Sequence, residues 1–167
     1  MILLDGRKTA RELEVKLKEK VLEMAKKFGR CPKLVVLLVG DNPASLSYVK
    51  SKEKACKRVG IDGFVLRLDK AISQESLLRI IKELNEDDKV DGFIVQLPLP
   101  KHIDQNEILN NIDQKKDVDG LSLINAGKVM NRQKGFVPAT PLGVMMLLNH
   151  YNINPEGMNA VVIGRSN

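Results

Sequence analysis

Tryptophan is absent from the 167-residue sequence, and aromatic residues make up only 4% of it. A nucleic-acid-binding surface requires a basic stripe with exposed aromatics, whereas the lysines here alternate with acidic residues, as in KLKEKVLEMAKK. We therefore predict no nucleic-acid partner. The net charge of +6 fits a solvated surface, the interpretation that we favour, or the attraction of an anionic small ligand. Composition alone does not decide between these two.

Cysteine, histidine and long apolar runs are also scarce. Cys31 and Cys56 lack the spacing of a metal site or redox motif, which predicts free thiols in a reducing compartment. The two histidines, His102 and His150, lie far apart, so no metal site is expected. No apolar run approaches membrane length, and the N-terminus does not resemble a signal peptide. We expect a cytoplasmic protein without a membrane partner.

Apolar runs alternate with amphipathic segments along the first two thirds of the chain. Thr9 and Glu12 have the spacing of a capping box, which predicts that the first helix begins at Thr9. Regular alternation of strands and helices is typical of an α/β fold with an open, mostly parallel sheet and helices on both faces. The predicted helices cover 9–28, 44–58, 73–86 and 104–112, and the predicted strands cover 33–40, 62–69 and 90–100.

The last third of the chain has a different character. Residues 113–140 are irregular, and a bridging helix follows over 141–151. NAVVIG (159–164) has the pattern of a buried strand, and the GRS after it resembles the first phosphate turn of a Rossmann-type domain, a weak signal without the full glycine motif. We expect a fragment that ends inside such a domain; alternatively, this strand docks on the chain's own sheet.

Polar residues follow the predicted strands where parallel sheets bind ligands, at their carboxyl ends. Tyr48 and Lys52 lie four positions apart, on one helix face, and fit either a surface pair or a stacking ring beside an acid–base amine. Gln96 ends an apolar strand and either faces solvent or holds a ligand or the amine. Asp117 and Asp119 in KKDVDG form a turn, or one of them accepts N–H bonds from a heterocycle.

Several segments in order resemble the bifunctional methylenetetrahydrofolate dehydrogenase/methenyltetrahydrofolate cyclohydrolase enzymes of one-carbon metabolism. The resemblance extends over essentially the whole chain. It rests on VGDNPASLSYVKSKEKACKRVGI (39–61), DGFIVQLPLPKHID (91–104), KKDVDGLSLINAGKV (115–129), FVPATPLGV (136–144) and VVIGRSN (161–167).

The resemblance implies a multifunctional cytoplasmic enzyme, a homodimer when complete, that supplies one-carbon units for pathways such as purine biosynthesis. Such enzymes oxidise 5,10-methylenetetrahydrofolate with NADP and hydrolyse the 5,10-methenyl product to 10-formyltetrahydrofolate. Residues 1–140 would be the folate-binding catalytic domain, and 141–167 a linker helix with the first strand of the NADP-binding domain. The folate substrate carries glutamate carboxylates, which suit the positive surface. The alternative is a folate-binding fragment without dehydrogenase turnover, because most of a cofactor domain is missing.

The resemblance also assigns residues to the site. Tyr48 matches the tyrosine that stacks on the aromatic part of folate, and Lys52 matches the central catalytic lysine. Gln96 corresponds to the hydrogen-bonding partner of that lysine, and Asp119 to the carboxylate that reads the pterin. The remaining positions implied are Val95 and Leu97 for the substrate, and Gly164, Arg165 and Ser166 for NADP.

Overall fold

The computed structural model describes residues 3–164 as nine elements in an α/β arrangement. Three parallel strands form one sheet, in which β1 lies between β2 and β3 and helices cover both faces, so the predicted fold class is confirmed. The elements are α1 (Gly6–Phe28), β1 (Lys33–Val39), α2 (Pro43–Val59), β2 (Asp62–Leu68), α3 (Gln74–Glu86), β3 (Gly92–Val95), α4 (Gln105–Asn110), α5 (Leu123–Met130) and α6 (Ala139–His150).

The central strand β1 is buried on both faces, which explains its unbroken apolar run. Val35 and Leu37 belong to the core on the α3 and α4 side, and Val36 and Leu38 pack against Val49 of α2. Successive side chains of a strand point to opposite faces, so one strand serves both halves of the core. Burial of each such side chain stabilises the fold by about 1.5–3 kcal/mol. This core fixes the sheet edge from which the site residues extend.

Helix α2 has the start and end that its sequence predicts. The Asn42 side chain accepts hydrogen bonds from the N–H groups of Ala44 and Ser45, and Pro43 occupies the first turn. At the other end Gly60 takes a φ of 85°, in the left-handed region that glycine adopts readily. These two caps set the register of α2, so the side chains of its inner face reach the carboxyl edge of the sheet.

The predicted start of α1 at Thr9 is wrong. The helix begins at Gly6, and the carboxylate of Asp5 caps it by accepting a hydrogen bond of 3.0 Å from the N–H of Lys8. Thr9 is buried, and its hydroxyl donates to the carbonyl of Asp5. Asp5, four residues before Thr9, therefore has the capping role that the sequence pattern assigned to Thr9.

The segment 113–140 contains a helix that the sequence did not predict. Ser122 caps α5, and its hydroxyl accepts a hydrogen bond from the N–H of Asn125. The helix has only eight residues and includes Gly127, so its apolar spacing is too short to stand out from a loop.

The predicted buried strand over 159–164 is not formed. This segment has no strand structure, and Val161, Val162 and Ile163 are 89%, 91% and 98% exposed. A strand needs a neighbour for its backbone hydrogen bonds, and among residues 3–164 none lies alongside it. The alternative, that the strand docks on the chain's own sheet, is therefore wrong as well.

Helix α6 lies against the start of α1. The N–H of Asp5 donates a hydrogen bond of 2.9 Å to the hydroxyl of Tyr151, just past the end of α6. The apolar α6 residues Leu142 and Met145 are each 43% exposed. Neither α6 nor any other helix within residues 3–164 is long and apolar enough to span a bilayer.

Candidate functional site

The structure brings together Lys52 and Gln96 at the carboxyl edge of the sheet. The Lys52 ammonium, from the middle of α2, donates a hydrogen bond of 2.9 Å to Oε1 of Gln96. Gln96 follows the last residue of β3, and its N–H donates to the carbonyl of Leu37 in β1. The backbone of Gln96 is thus held by the sheet while its side chain extends towards α2.

The amide of Gln96 has a defined orientation. Its Nε2 donates a hydrogen bond of 2.8 Å to the carbonyl of Leu97, which can only accept, so Oε1 is the atom turned towards Lys52. The hydroxyl of Ser45, on the same face of α2, donates to the same carbonyl over 3.2 Å. An ammonium has three N–H donors, and in the described part of the chain Lys52 uses one of them in this bond. The lysine is therefore positioned by an uncharged partner and keeps donors for a ligand.

Asp119 completes a polar cluster with Lys52. Partial burial raises the pKa of the Asp119 carboxyl above its ordinary value, and the positive charge of Lys52 acts in the opposite direction. The neighbouring carboxylate of Asp117 adds a further upward effect on the pKa of Asp119. The amine and the carboxylate are thus near enough to influence one another electrostatically.

Asp117 plays a different part from Asp119. It is 1% exposed, and its carboxylate accepts hydrogen bonds of 2.9 Å from the Ser122 N–H and from Nδ2 of Asn125. Burial acts to raise the pKa of Asp117, but these bonds and one from the N–H of Leu121 hold it below its ordinary value. Asp117 is thus the anchor of the loop, which leaves Asp119 available to a ligand.

The segment 136–138 packs against the DVDG loop. Gly120 has a φ of 69°, and a Cβ at this position would lie 2.8 Å from the carbonyl oxygen of Phe136 and 2.9 Å from the nitrogen of Pro138. Asn125, which is fully buried, accepts a hydrogen bond of 3.4 Å from the N–H of Phe136. Sequence reasoning missed Asn125; an asparagine early in a helix was its only signal. It joins the Asp117 anchor to the segment that covers Gly120.

Tyr48 lies one helical turn before Lys52 on α2. It is 63% exposed, so a broad part of the ring faces solvent beside the Lys52–Gln96 pair. An exposed ring at the rim of a polar cluster is a platform on which a planar ligand can stack.

The other predicted site residues have varied positions. The Val95 side chain is 2% exposed and belongs to the core, so it supports the site from below. Leu97 is half-buried and lines a pocket of about 650 Å³ that Gly120 also lines. Gly164 is exposed, and Arg165 and Ser166 lie outside the described residues.

A second pocket, of about 540 Å³, opens at the same sheet edge between the loops that follow β1, β2 and β3. Neither pocket is lined by Tyr48, Lys52, Gln96 or Asp119 themselves. The polar cluster therefore lies outside both pockets. Within residues 3–164, no group of three or more His, Cys, Asp or Glu side chains is arranged to hold a metal ion.

Comparison with known proteins gives consistent matches. Residues 4–119 match the family described as tetrahydrofolate dehydrogenase/cyclohydrolase, catalytic domain. The bifunctional protein FolD of Prochlorococcus marinus is 49% identical over 164 residues, which are 98% of this chain and 54% of that protein. The chain thus spans about half the length of this relative.

Two solved structures show the same architecture. The crystal structure of the bifunctional FolD methylenetetrahydrofolate dehydrogenase/cyclohydrolase from Campylobacter jejuni matches with a TM-score of 0.95 and 50% identity, over 99% of this chain and 59% of that one. The Trypanosoma brucei dehydrogenase-cyclohydrolase, complexed with NADP cofactor and inhibitor, matches with a TM-score of 0.86 and 34% identity, over 91% of this chain and 52% of that one.

Proposed function

This chain belongs to the tetrahydrofolate dehydrogenase/cyclohydrolase family, and we propose that it provides the substrate site of a bifunctional folate enzyme. The enzyme oxidises 5,10-methylenetetrahydrofolate to 5,10-methenyltetrahydrofolate and hydrolyses that product to 10-formyltetrahydrofolate. The observation that carries this proposal is the hydrogen bond between Lys52 and Gln96 beside the carboxylate of Asp119.

Lys52 is the proposed acid–base group of the hydrolytic step. Water adds to the cationic methenyl carbon and loses a proton as the new C–O bond forms. The resulting hydroxyl then loses its proton to give the formyl C=O while a ring C–N bond breaks and the ring nitrogen gains a proton, so one proton is released overall. An amine beside that carbon can take up a proton from the water and deliver one to the ring nitrogen. Gln96 holds the amine through an uncharged oxygen, so it fixes the position of Lys52 without neutralising it.

Asp119 and Tyr48 are the proposed groups that bind and orient folate. A carboxylate accepts two parallel N–H bonds from an amino-substituted ring, which suits the pterin. The exposed ring of Tyr48 suits stacking on the p-aminobenzoyl group. Val95 supports this surface from the core, and Leu97 adds an apolar contact beside Gln96. Correct placement lowers the barrier of both steps, because reacting groups held together need no further encounter.

NADP is the proposed cofactor, and when bound it accepts the hydride that leaves the methylene carbon. The family resemblance implies Gly164, Arg165 and Ser166 as the start of its phosphate turn. A side chain at Gly164 would meet nothing within 4 Å, so the described part of this turn does not by itself enclose a phosphate. The roles proposed for Lys52 and Asp119 rest on their own contacts and not on this segment.

We further propose that residues 1–140 form the folate domain and that 141–167 lead into a cofactor domain. A cytoplasmic homodimer that acts on polyglutamylated folates in one-carbon metabolism, including purine biosynthesis, is the corresponding proposal for the whole protein.

Two assays of the protein expressed from its complete gene test the proposed function. We expect NADP reduction that depends on 5,10-methylenetetrahydrofolate, and hydrolysis of 5,10-methenyltetrahydrofolate above the uncatalysed rate. Folate binding without either reaction would overturn the enzymatic proposal in favour of a folate-binding protein. A protein without folate binding would overturn both.

A further inference from the structure

Lys116 immediately precedes the DVDG loop (117–120) and has no part in the chemistry proposed above. Its side chain is half-buried, and its ammonium donates hydrogen bonds of 2.9 Å to the carbonyl of Leu84 and 2.7 Å to the carbonyl of Asp87. Both carbonyls lie at the C-terminal end of α3, 32 and 29 positions earlier in the chain. One side chain thus ties the loop to the end of a helix.

The end of α3 favours such a contact. The last carbonyls of a helix have no partner within it, and the helix dipole stabilises a cation near them. No basic residue lies in the last turn of α3, which instead ends with the acidic residues Glu86 and Asp87. Lys116 therefore supplies, from a distant segment, the positive charge that the end of this helix lacks.

The backbone of Lys116 is bound to a second element. Its carbonyl accepts a hydrogen bond of 2.9 Å from the N–H of Phe93 in β3, and Asp117 pairs with Phe93 as an isolated parallel bridge. A Cβ at Gly92 would clash with Cγ1 of Val118, so the loop packs directly against the start of β3. The backbone and side chain of one residue therefore fix the loop relative to both α3 and β3.

The register of the loop on β3 sets the position of Asp119. Gln96 follows Phe93 by three residues, and Asp119 follows Asp117 by two. The two segments run in the same direction from the bridge, so Asp119 and Gln96 approach the same edge of the sheet. There Gln96 binds Lys52, whose charge acts on the Asp119 carboxyl. A slip of the loop by one residue, about 3.3 Å, would move this carboxylate relative to the amine.

Lys116 and Asn125 join the loop to different parts of the fold. The Asn125 bonds connect it to α5, the next element of the chain, whose Leu123 is 72% exposed. The Lys116 bonds connect it to α3, whose Leu77 and Ile81 are fully buried in the core shared with β1 and β3. The attachment to the rigid core of the domain is therefore made through Lys116.

We propose that Lys116 is a positioning residue for folate recognition. By joining the end of α3 to the start of the DVDG loop, it holds the Asp119 carboxylate beside the Lys52–Gln96 pair. Lys116 acts through Asp119 and does not itself contact the substrate. This inference rests on the proposed function, in which Asp119 binds the pterin, but one of its two consequences can be measured without folate.

The first measurement is the pKa of the Asp119 carboxyl, followed by carbon-13 NMR in the complete protein. Wild type and Lys116→Met are compared, each with and without Lys52→Met. The charge of Lys52 lowers the pKa of Asp119, so Lys52→Met should raise it. In the Lys116→Met background we expect about half of this rise or less, because the amine and the carboxylate are then farther apart. An equal rise in both backgrounds would overturn the positioning role.

The second measurement is the affinity for tetrahydrofolate, by calorimetric titration of the complete protein, in a double-mutant cycle with Asp119→Asn. Misplacement of a group by about 1 Å can cost as much as about 100-fold, and we expect Lys116→Met to weaken binding by about tenfold. In the Asp119→Asn background the same change should weaken binding by less than about twofold, because the carboxylate that Lys116 positions is gone. A lysine that only stabilised the fold would lower the free energy of unfolding without this dependence on Asp119.

Lys115→Met is the matched control, since it removes an exposed lysine from the adjacent position and should leave both the affinity and the pKa of Asp119 unchanged. An affinity of Lys116→Met within twofold of the wild type, or the same loss in both Asp119 backgrounds, would overturn the proposal. If Lys116→Met does not fold, Lys116→Gln, which keeps an amide donor on a shorter side chain, is measured against the same criteria. If the wild type does not bind tetrahydrofolate, the proposed function fails, and the NMR comparison alone decides the role of Lys116.

Discussion

Lys52 and Gln96, 44 positions apart in sequence, are joined by a hydrogen bond of 2.9 Å between ammonium and amide oxygen. This bond links the middle of α2 to the end of β3. Each partner is fixed on its own element: α2 by its two caps, and Gln96 by its backbone bond to β1 and its side-chain bond to Leu97. The pair is therefore held in place before a ligand arrives, as a catalytic group requires.

Lys52→Met should abolish hydrolysis of 5,10-methenyltetrahydrofolate but spare folate binding. Loss of a general acid–base group lowers rates by about 10²- to 10⁴-fold, whereas Tyr48 and Asp119 remain to hold the ligand. Single-turnover kinetics and equilibrium binding measure the two effects separately. Lys50→Met, which removes an exposed neighbouring lysine on a different helix face, is the control and should stay within twofold. Hydrolysis at the wild-type rate in Lys52→Met would remove this residue from the mechanism.

Tyr48→Ala should weaken folate binding by about 1–3 kcal/mol, the range for loss of an aromatic stacking partner. Because the ring is 63% exposed, its truncation should leave the unfolding midpoint almost unchanged. Tyr48→Phe keeps the ring and should bind like the wild type. Equal affinities of the alanine and phenylalanine variants would show that the ring does not contact folate.

Asp119→Asn should raise stability at neutral pH and weaken folate binding. The raised pKa of Asp119 means that its ionised form destabilises the folded chain. That cost is absent below the carboxyl's unfolded pKa and fully present above its folded pKa, so the gain should disappear as the pH is lowered through this window. Loss of charge-assisted bonds to the pterin should reduce affinity by about 1.5–3 kcal/mol. Urea unfolding at several pH values, with binding assays, measures both; a variant less stable than the wild type at pH 7 would contradict this reasoning.

Asn125→Ala should destabilise the chain by about 1–3 kcal/mol at neutral pH, because it leaves the buried Asp117 carboxylate with one donor fewer. The folded pKa of Asp117 is lowered, so its contribution is fully present above its unfolded pKa and is lost as the pH falls through its folded pKa. The difference between the variant and the wild type should therefore shrink in acid. Asn131→Ala, at the exposed end of α5, is the matched control, with a small and pH-independent effect. A pH-independent loss in Asn125→Ala would contradict the role of Asp117.

The sheet and α2 could be predicted from sequence because their signals are local. The apolar run of β1 indicates a strand buried on both faces. Asn42 and Pro43 predict the start of α2, and Gly60 predicts its end. The spacing of Tyr48 and Lys52 placed both on one face. What could not be predicted was that Asp5, and not Thr9, caps the start of α1.

Other features depend on contacts that are distant in sequence. Asp117 and Asp119 have different roles because Asp117 accepts a hydrogen bond from Asn125 of α5 and pairs with Phe93 of β3. The DVDG motif alone reveals neither contact. The apolar pattern of 159–164 predicts burial, but the pattern alone cannot supply a neighbouring strand.

The most direct test of the account is a double-mutant cycle on Lys52 and Gln96, read as the rate of methenyltetrahydrofolate hydrolysis by the complete protein. If Gln96 acts by holding the amine, Gln96→Leu alone should lower the rate by about tenfold, and adding it to Lys52→Met should change the remaining rate by less than threefold. If the two losses instead multiply, each residue acts independently, and the hydrogen bond between them is not the basis of the site.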